Sequence, residues 1–266
     1  FKDKNIHHLP FPYPWTLKDK KIDPKKFLIN SLKNLEKKID IKNDICGVML
    51  ETFQGWGALF YPQEYVKQLH KICKKNKILL CFDEMQSGFA RTGKMFGYEH
   101  YGIKPDLICV GKGMGGGVPI SGVLGKKYIM DLPDVGNMSS THSSNPISCT
   151  AGISVLEEIE EKKIVKNTAL KSKILFKYLK NIQNKNNNII YIGGKGLVAA
   201  LIFKKTKKIN YLLKEVCMEC MRKGLLVVYT GRESIKIGPP LTISAAALKE
   251  GLQILENSVN KIFNEK

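Results

Sequence analysis

An α/β fold, with a mostly parallel sheet followed by a smaller α+β unit, is predicted by three features of the chain. The runs ILLCF (78–82) and LICV (107–110) are short and continuously apolar, the pattern of strands buried on both faces, as parallel sheets use them. Segments with helical apolar spacing lie before and after these runs, as βα alternation requires. Each run also ends at once in loop residues that carry chemistry: Asp83 follows the first, and Lys112, 29 positions later, follows the second. Open α/β sheets place ligands just beyond the carboxyl ends of their strands. A carboxylate and an amine are thereby delivered to one crevice.

The elements follow in order. A Pro-rich entry, LPFPYP (9–14), leads to a helix over 24–40, in which Phe27, Leu28, Leu32 and Leu35 form one apolar face. A strand over 46–50, a helix over 62–75 and strands over 78–82 and 107–110 give the alternation of a parallel sheet. A further strand, 121–125, follows the lysine loop. Helices over 146–160 and 163–182 lead into the smaller unit, whose strands are expected at 189–192, 197–203, 225–229 and 234–237. Asn145 and Pro146 supply the cap and first-turn residue of the first of these helices. The run NKNNN (184–188) reads as a surface turn, 211–223 as a helix, and 244–262 as a closing helix. The division between the two units is expected at 160, giving 1–160 and 161–266.

Composition removes several function classes. The 266 residues carry a net charge of +19, which taken alone suggests nucleic acid or an anionic surface. Of the 43 basic residues, however, only Arg91, Arg222 and Arg232 are arginines. Base-reading and phosphate-clamping surfaces favour the bidentate arginine fork. The lysines are dispersed in pairs such as Lys74-Lys75 and Lys207-Lys208; the charge supports only non-specific, salt-sensitive adhesion, and neither a nucleic-acid nor a membrane partner is expected. The seven cysteines sit mostly in or beside apolar runs, where free cysteine packs, so a reducing compartment is expected: the cytoplasm, with an organelle left open. Cys217 and Cys220 have the C-x-x-C spacing but no second pair or neighbouring histidine, so no metal is expected. No apolar stretch reaches membrane-spanning length. The glycines around Lys112 do not have phosphate-loop spacing.

The chemistry that needs an acid and a lysine in one crevice is that of pyridoxal 5'-phosphate, where lysine forms the Schiff base and the acid keeps the pyridinium nitrogen protonated. The segments FDEMQSGFARTG (82–93) and GKGMGGGVPISG (111–122) resemble those of the class III aminotransferases, pyridoxal-phosphate enzymes of fold type I. SSTHSSNPISCTAGISVLEEIE (139–160), GGKGLVAALIF (193–203) and IKIGPPLTI (235–243) are similar to further segments of that family, so the resemblance covers almost the whole chain.

The resemblance implies a ping-pong transfer of an amino group from an amine or ω-amino acid to a keto acid such as pyruvate or 2-oxoglutarate. It implies Lys112 as the Schiff-base lysine and proton shuttle, Asp83 as the pyridinium partner, Gln86 near the phenolic oxygen and Met85 against the ring. Thr141 is implied to reach the cofactor phosphate of the neighbouring subunit of a homodimer with shared active sites. The resemblance also implies that 1–160 is the C-terminal part of the large cofactor-binding domain, and that the chain is the C-terminal portion of a longer enzyme. The absent part would carry the phosphate-gripping loop and a stacking aromatic residue. Glu84 and Arg91 are expected to pair and shape the loop. Alternatives left open are another class III reaction (aminomutase, decarboxylase or epimerase) or an inactive truncated fragment.

Departures from the family pattern bear on substrate. In ETFQGWGALFYP (51–62), Trp56 stands where 4-aminobutyrate and ornithine enzymes keep a glutamate, and Lys236 stands where they keep that glutamate's arginine partner. Losing both together is coherent, since either charge left alone in a closed pocket would cost several kcal/mol. Trp56 is expected to form an apolar or stacking wall, with the substrate carboxylate held by Lys236, by Arg232 or by both.

Overall fold

The protein, described here from a computed structural model over residues 3–264, contains two four-stranded sheets and a small hairpin between them. The Pro-rich entry closes with helix α1 (Pro14–Asp19), with Pro14 in its first turn. Helix α2 (Pro24–Glu36) is capped by Asp23, which accepts from the amides of Lys25 and Lys26. The expected single helix over 24–40 is corrected here: Asp40 caps a new short helix, α3 (Ile41–Asp44), by accepting from the Lys42 and Asn43 amides, a local bond that competes with helix continuation.

Strand β1 (Gly47–Glu51) leads to the hairpin of β2 (Phe53–Gln54) and β3 (Leu59–Phe60), then to α4 (Gln63–Asn76), which Lys77 ends in a left-handed conformation at φ 57°. Next come β4 (Leu79–Asp83), β5 (Leu107–Val110) and β6 (Gly122–Gly125). The first sheet has the order β1-β4-β5-β6, with the first three strands parallel and β6 antiparallel to β5. One face buries Leu50, Leu80, Phe82, Ile108 and Val110 against Leu28 of α2 and Tyr65, Val66 and Leu69 of α4.

After β6 come α5 (Lys127–Met130), α6 (Pro146–Glu161), capped by Asn145, and α7 (Ile164–Lys185). The second sheet, β7 (Ile189–Lys195), β8 (Val198–Phe203), β9 (Val228–Tyr229) and β10 (Ser234–Ile237), is antiparallel in the order β7-β8-β10-β9. Helices α8 (Ile209–Arg222) and α9 (Ala245–Asn264) pack on it with α7 around Leu179, Leu201, Leu213 and Leu252. Glu219 of α8 takes ion pairs from Lys223 and from Lys261 of α9 at 3.0 and 3.1 Å, and these two lysines hold its carboxyl at about 2.

The hairpin, which the apolar pattern did not foretell, carries the first sheet onto the second. Phe53 and Ala58 bury against Val198 and Ala200 of β8, and the approach is close enough that a Cβ on Gly193 would overlap the Gly57 carbonyl. Among the described residues no helix is long and apolar enough to cross a membrane, and all seven cysteines are free.

Candidate active site

The parallel register builds the site. Glu51, Asp83, Cys109 and Val123 face one another in a lateral row across β1, β4, β5 and β6. Asp83, half-buried at the carboxyl end of β4, accepts from the Met85 amide at 2.9 Å, which bends the chain out of the strand. Glu51 ends β1 as Asp83 ends β4. Its carboxyl is pushed up chiefly by burial and next by Asp83, against the Gly55 amide and the charges of Lys112 and Lys236. Asp83, Lys112 and Lys236 all bear on this one carboxyl, but Glu51 and Asp83 line one cavity, with Tyr61 and Tyr65, and Lys112 lines another. Glu51 was missed in the sequence, although it closes an apolar run as Asp83 does.

Lys112 opens a 3-10 turn (Lys112–Gly115) directly after β5 and takes a left-handed conformation at φ 47°. It lines a cleft of about 660 Å³ with Met85, Gln86, Arg91, Lys236 and Thr242. A Cβ on Gly111 before it would fall 2.6 Å from the Met85 sulfur, so any side chain there would displace Met85. The lysine loop and the loop after Asp83 thus interlock at Gly111 and Met85.

The loop after Asp83 is held from inside by Glu84. This fully buried carboxylate accepts from Thr52 and Ser87 hydroxyls at 2.6 Å each and from the Gly97 and Tyr98 amides at 2.7 Å each. The expected Glu84–Arg91 pair is corrected by these contacts, because donors from three segments already fill the carboxylate. Arg91 instead donates to the carbonyls of Leu197 and Pro239 at 2.9 and 2.6 Å, while the Leu197 amide donates back to the Arg91 carbonyl at 3.0 Å. It ties the loop after Asp83 to two segments of the second sheet's unit. Burial lowers its pKa, and carbonyl acceptors suit a guanidinium that finds no carboxylate.

Lys236, on β10, reaches back to donate to Gln86 at 2.6 Å and lies 5.7 Å from the Phe53 ring centroid. Burial lowers its pKa; Glu51 opposes that, while Lys112 and Arg91 add to it. Arg232 is exposed and stacks its guanidinium carbon 4.0 Å from the Trp56 ring centroid. The Ser234 hydroxyl donates to the Trp56 carbonyl at 2.9 Å, and Gly55, just before Trp56, touches Gln86: a Cβ there would sit 3.0 Å from its amide nitrogen. Gln86, Lys236, Trp56 and Arg232 are thus contiguous.

Thr141 does not join them within one chain. It is exposed, on a segment where Leu132, Val135, Met138 and Ile147 also stand exposed.

The family pattern described as aminotransferase class-III matches residues 2–259. The chain is 34% identical over 235 residues to acetylornithine aminotransferase of Caldanaerobacter subterraneus subsp. tengcongensis, covering 88% of this chain and 58% of that protein. It is 34% identical over 263 residues to leucine/methionine racemase of Thermococcus litoralis, covering 96% of this chain and 59% of the relative. Among solved structures, ornithine aminotransferase from Plasmodium yoelii matches with a TM-score of 0.79 at 29% identity, over 88% of this chain and 61% of that one. The chain spans just under three-fifths of the curated relatives' length, 58 and 59%.

Proposed function

Because the chain belongs to the class III aminotransferase family, we propose that the protein it represents transfers an amino group from an amine or ω-amino acid to a keto acid in two half-reactions, using pyridoxal 5'-phosphate. The observation that carries this reading is the adjacency of two strand ends: β4 ends at Asp83 and pairs with β5, whose loop carries Lys112 into the cleft lined by Met85 and Gln86.

These residues suit that cofactor: an acid at a strand end, an amine on the loop that follows the neighbouring strand, and a glycine whose missing Cβ leaves room for Met85. When bound, the cofactor would supply an electron sink for the bond broken at the substrate carbon. Asp83 would hold a proton on its ring nitrogen, Lys112 would attach it, Met85 would pack against its ring, and Gln86 would donate to its phenolic oxygen. Lys112 would then carry the proton to and from the substrate carbon as general base and acid. Trp56 would wall the substrate space, and Arg232 or Lys236 would take the carboxylate of the keto acid. Arg232 is the better placed, since its fork leaves a ring face with no counter-ion to break, whereas Lys236 already bonds Gln86.

An exposed apolar segment carrying Thr141 supports a homodimer in which Thr141 acts on the partner's cofactor phosphate. Mixing Lys112→Ala with Thr141→Ala full-length subunits should then restore part of the activity, up to about a quarter of the sites for random pairing; no recovery counts against shared sites.

The test of the reaction is an amine-donor screen of the full-length protein with pyruvate and 2-oxoglutarate, read as product amino acid. In the same screen Arg232→Ala should raise the KM for the keto acid at least about tenfold; an unchanged KM removes Arg232 from the carboxylate site. A second reading, racemisation of an amino acid, is favoured by the similarity to the Thermococcus litoralis racemase over 96% of the chain. It predicts interconversion of enantiomers with no keto acid consumed.

A further inference from the structure

The two tryptophans of the chain, Trp15 and Trp56, are 41 positions apart and meet with ring centroids 6.2 Å apart. Tyr13 stacks on Trp15 at 4.9 Å with planes 13° apart and lies 6.2 Å from Trp56. Tyr191, from β7, meets the Trp15 edge at 6.4 Å. Three segments distant in sequence, the entry, the hairpin and the second sheet, therefore build one aromatic wall. It stands one residue from Gln86 through Gly55 and two residues from Lys236 through Ser234. Arg232 lies against one ring face of the wall, that of Trp56.

We propose that this wall selects amine donors with an aromatic ring or an extended apolar group, and that Tyr13 and Trp15 are positioning residues that hold Trp56 to that task. The inference rests on the amine-donor reading above. A donor ending in a carboxylate would have to draw Arg232 off the Trp56 face to find a partner, and a charge desolvated without a partner is disfavoured. A ring or an alkyl tail would meet offset and edge-on partners at the separations that aromatic contacts prefer. Arg232 can swing off Trp56 without abandoning an ion pair, which leaves the indole face open to the donor. Trp15 backs Trp56 in this arrangement, so its loss frees Trp56 to rotate.

The experiment uses the full-length holoenzyme with pyruvate as acceptor, and compares 1-phenylethylamine and hexylamine with 4-aminobutyrate and ornithine. The two apolar donors are expected to exceed the charged pair at least about tenfold in kcat/KM. Trp15→Ala should cost about tenfold for 1-phenylethylamine through KM, leave the KM for pyruvate unchanged, and be rescued by Trp15→Phe. Saturation-transfer NMR with the unreactive probe benzyl alcohol should show ring contact in the wild type and in Trp15→Phe and lose it in Trp15→Ala. Preference for 4-aminobutyrate or ornithine overturns the proposal while leaving the aminotransferase reading intact. So does a Trp15→Ala variant that slows all donors alike through kcat, which marks Trp15 as merely structural. If no amine donor converts either pyruvate or 2-oxoglutarate to its amino acid, both readings fall.

Discussion

Replacing Lys112 by alanine in the full-length protein should abolish both transamination and the yellow, borohydride-reducible chromophore of the holoprotein. The expected fall in turnover is at least about 1,000-fold, because in the proposed reaction one side chain would serve both as the attachment point and as the proton carrier, and positioned acid–base groups alone contribute roughly 100- to 10,000-fold. The fold should survive. Lys112 is exposed, opens a short turn rather than packing in the core, and makes no hydrogen bond that another element depends on; its left-handed φ of 47° is tolerated no better by alanine, so a small loss of stability, roughly 1 kcal/mol or less, is the most that should accompany the change. The check is absorbance before and after borohydride treatment, alongside single-turnover rates. A variant that keeps the reducible chromophore would place the attachment on another lysine, and with it the whole reading of the cleft would fall.

The positions of Asp83 and Lys112 were legible in the sequence because both depend on one local feature, an apolar run that stops. Burial on both faces demands the run, and the strand end follows from where it ceases, here within one residue of the expected boundaries. Asn145 and Pro146 were legible for a similar reason, since a cap acts on amides two and three residues away. What escaped was set by distant partners. Phe53 and Ala58 form the hairpin's apolar contact with β8, more than 130 positions on, and nothing in their own neighbourhood announces it. Glu84 and Arg91 looked like natural partners by charge and spacing, yet each is held by groups from elsewhere, the one by Thr52, Gly97 and Tyr98, the other by Leu197 and Pro239. Trp56 was singled out as a substituted position, but the stack of Arg232 on its ring joins two units that only the fold brings together. The antiparallel direction of β6 was likewise unreadable in four residues, two of them glycine.

Glu84 should prove the costliest single side chain in the site's framework, although it touches none of the reacting groups proposed here. Changing it to alanine strands two hydroxyls and two amides in the fully buried space that the carboxylate filled, and removing one side of a buried charged network typically costs about 3–5 kcal/mol. That is a large fraction of an ordinary domain's roughly 5–15 kcal/mol. Glu84→Gln keeps the shape but turns an NH2 group toward donors that need an acceptor, so it should recover less than half of the loss. Urea unfolding of the full-length protein measures both variants, and Asp83→Asn serves as the control that removes a neighbouring charge without touching the network. Hydrogen exchange locates the damage: Gly97 and Tyr98 should lose protection first, since their amides lose their acceptor. The effect should then reach the cleft through the loop that carries Met85 and Gln86. Phe89 and Ala90 hold left-handed conformations at φ 52° and 68° in that loop, conformations that non-glycine residues keep only where the surroundings enforce them. Release of Glu84 lets those residues relax, moves Gln86 away from Lys236, and should weaken cofactor retention in parallel with stability. An alanine variant as stable as the wild type would mean that the four donors find other acceptors, and that Glu84 does not brace the loop.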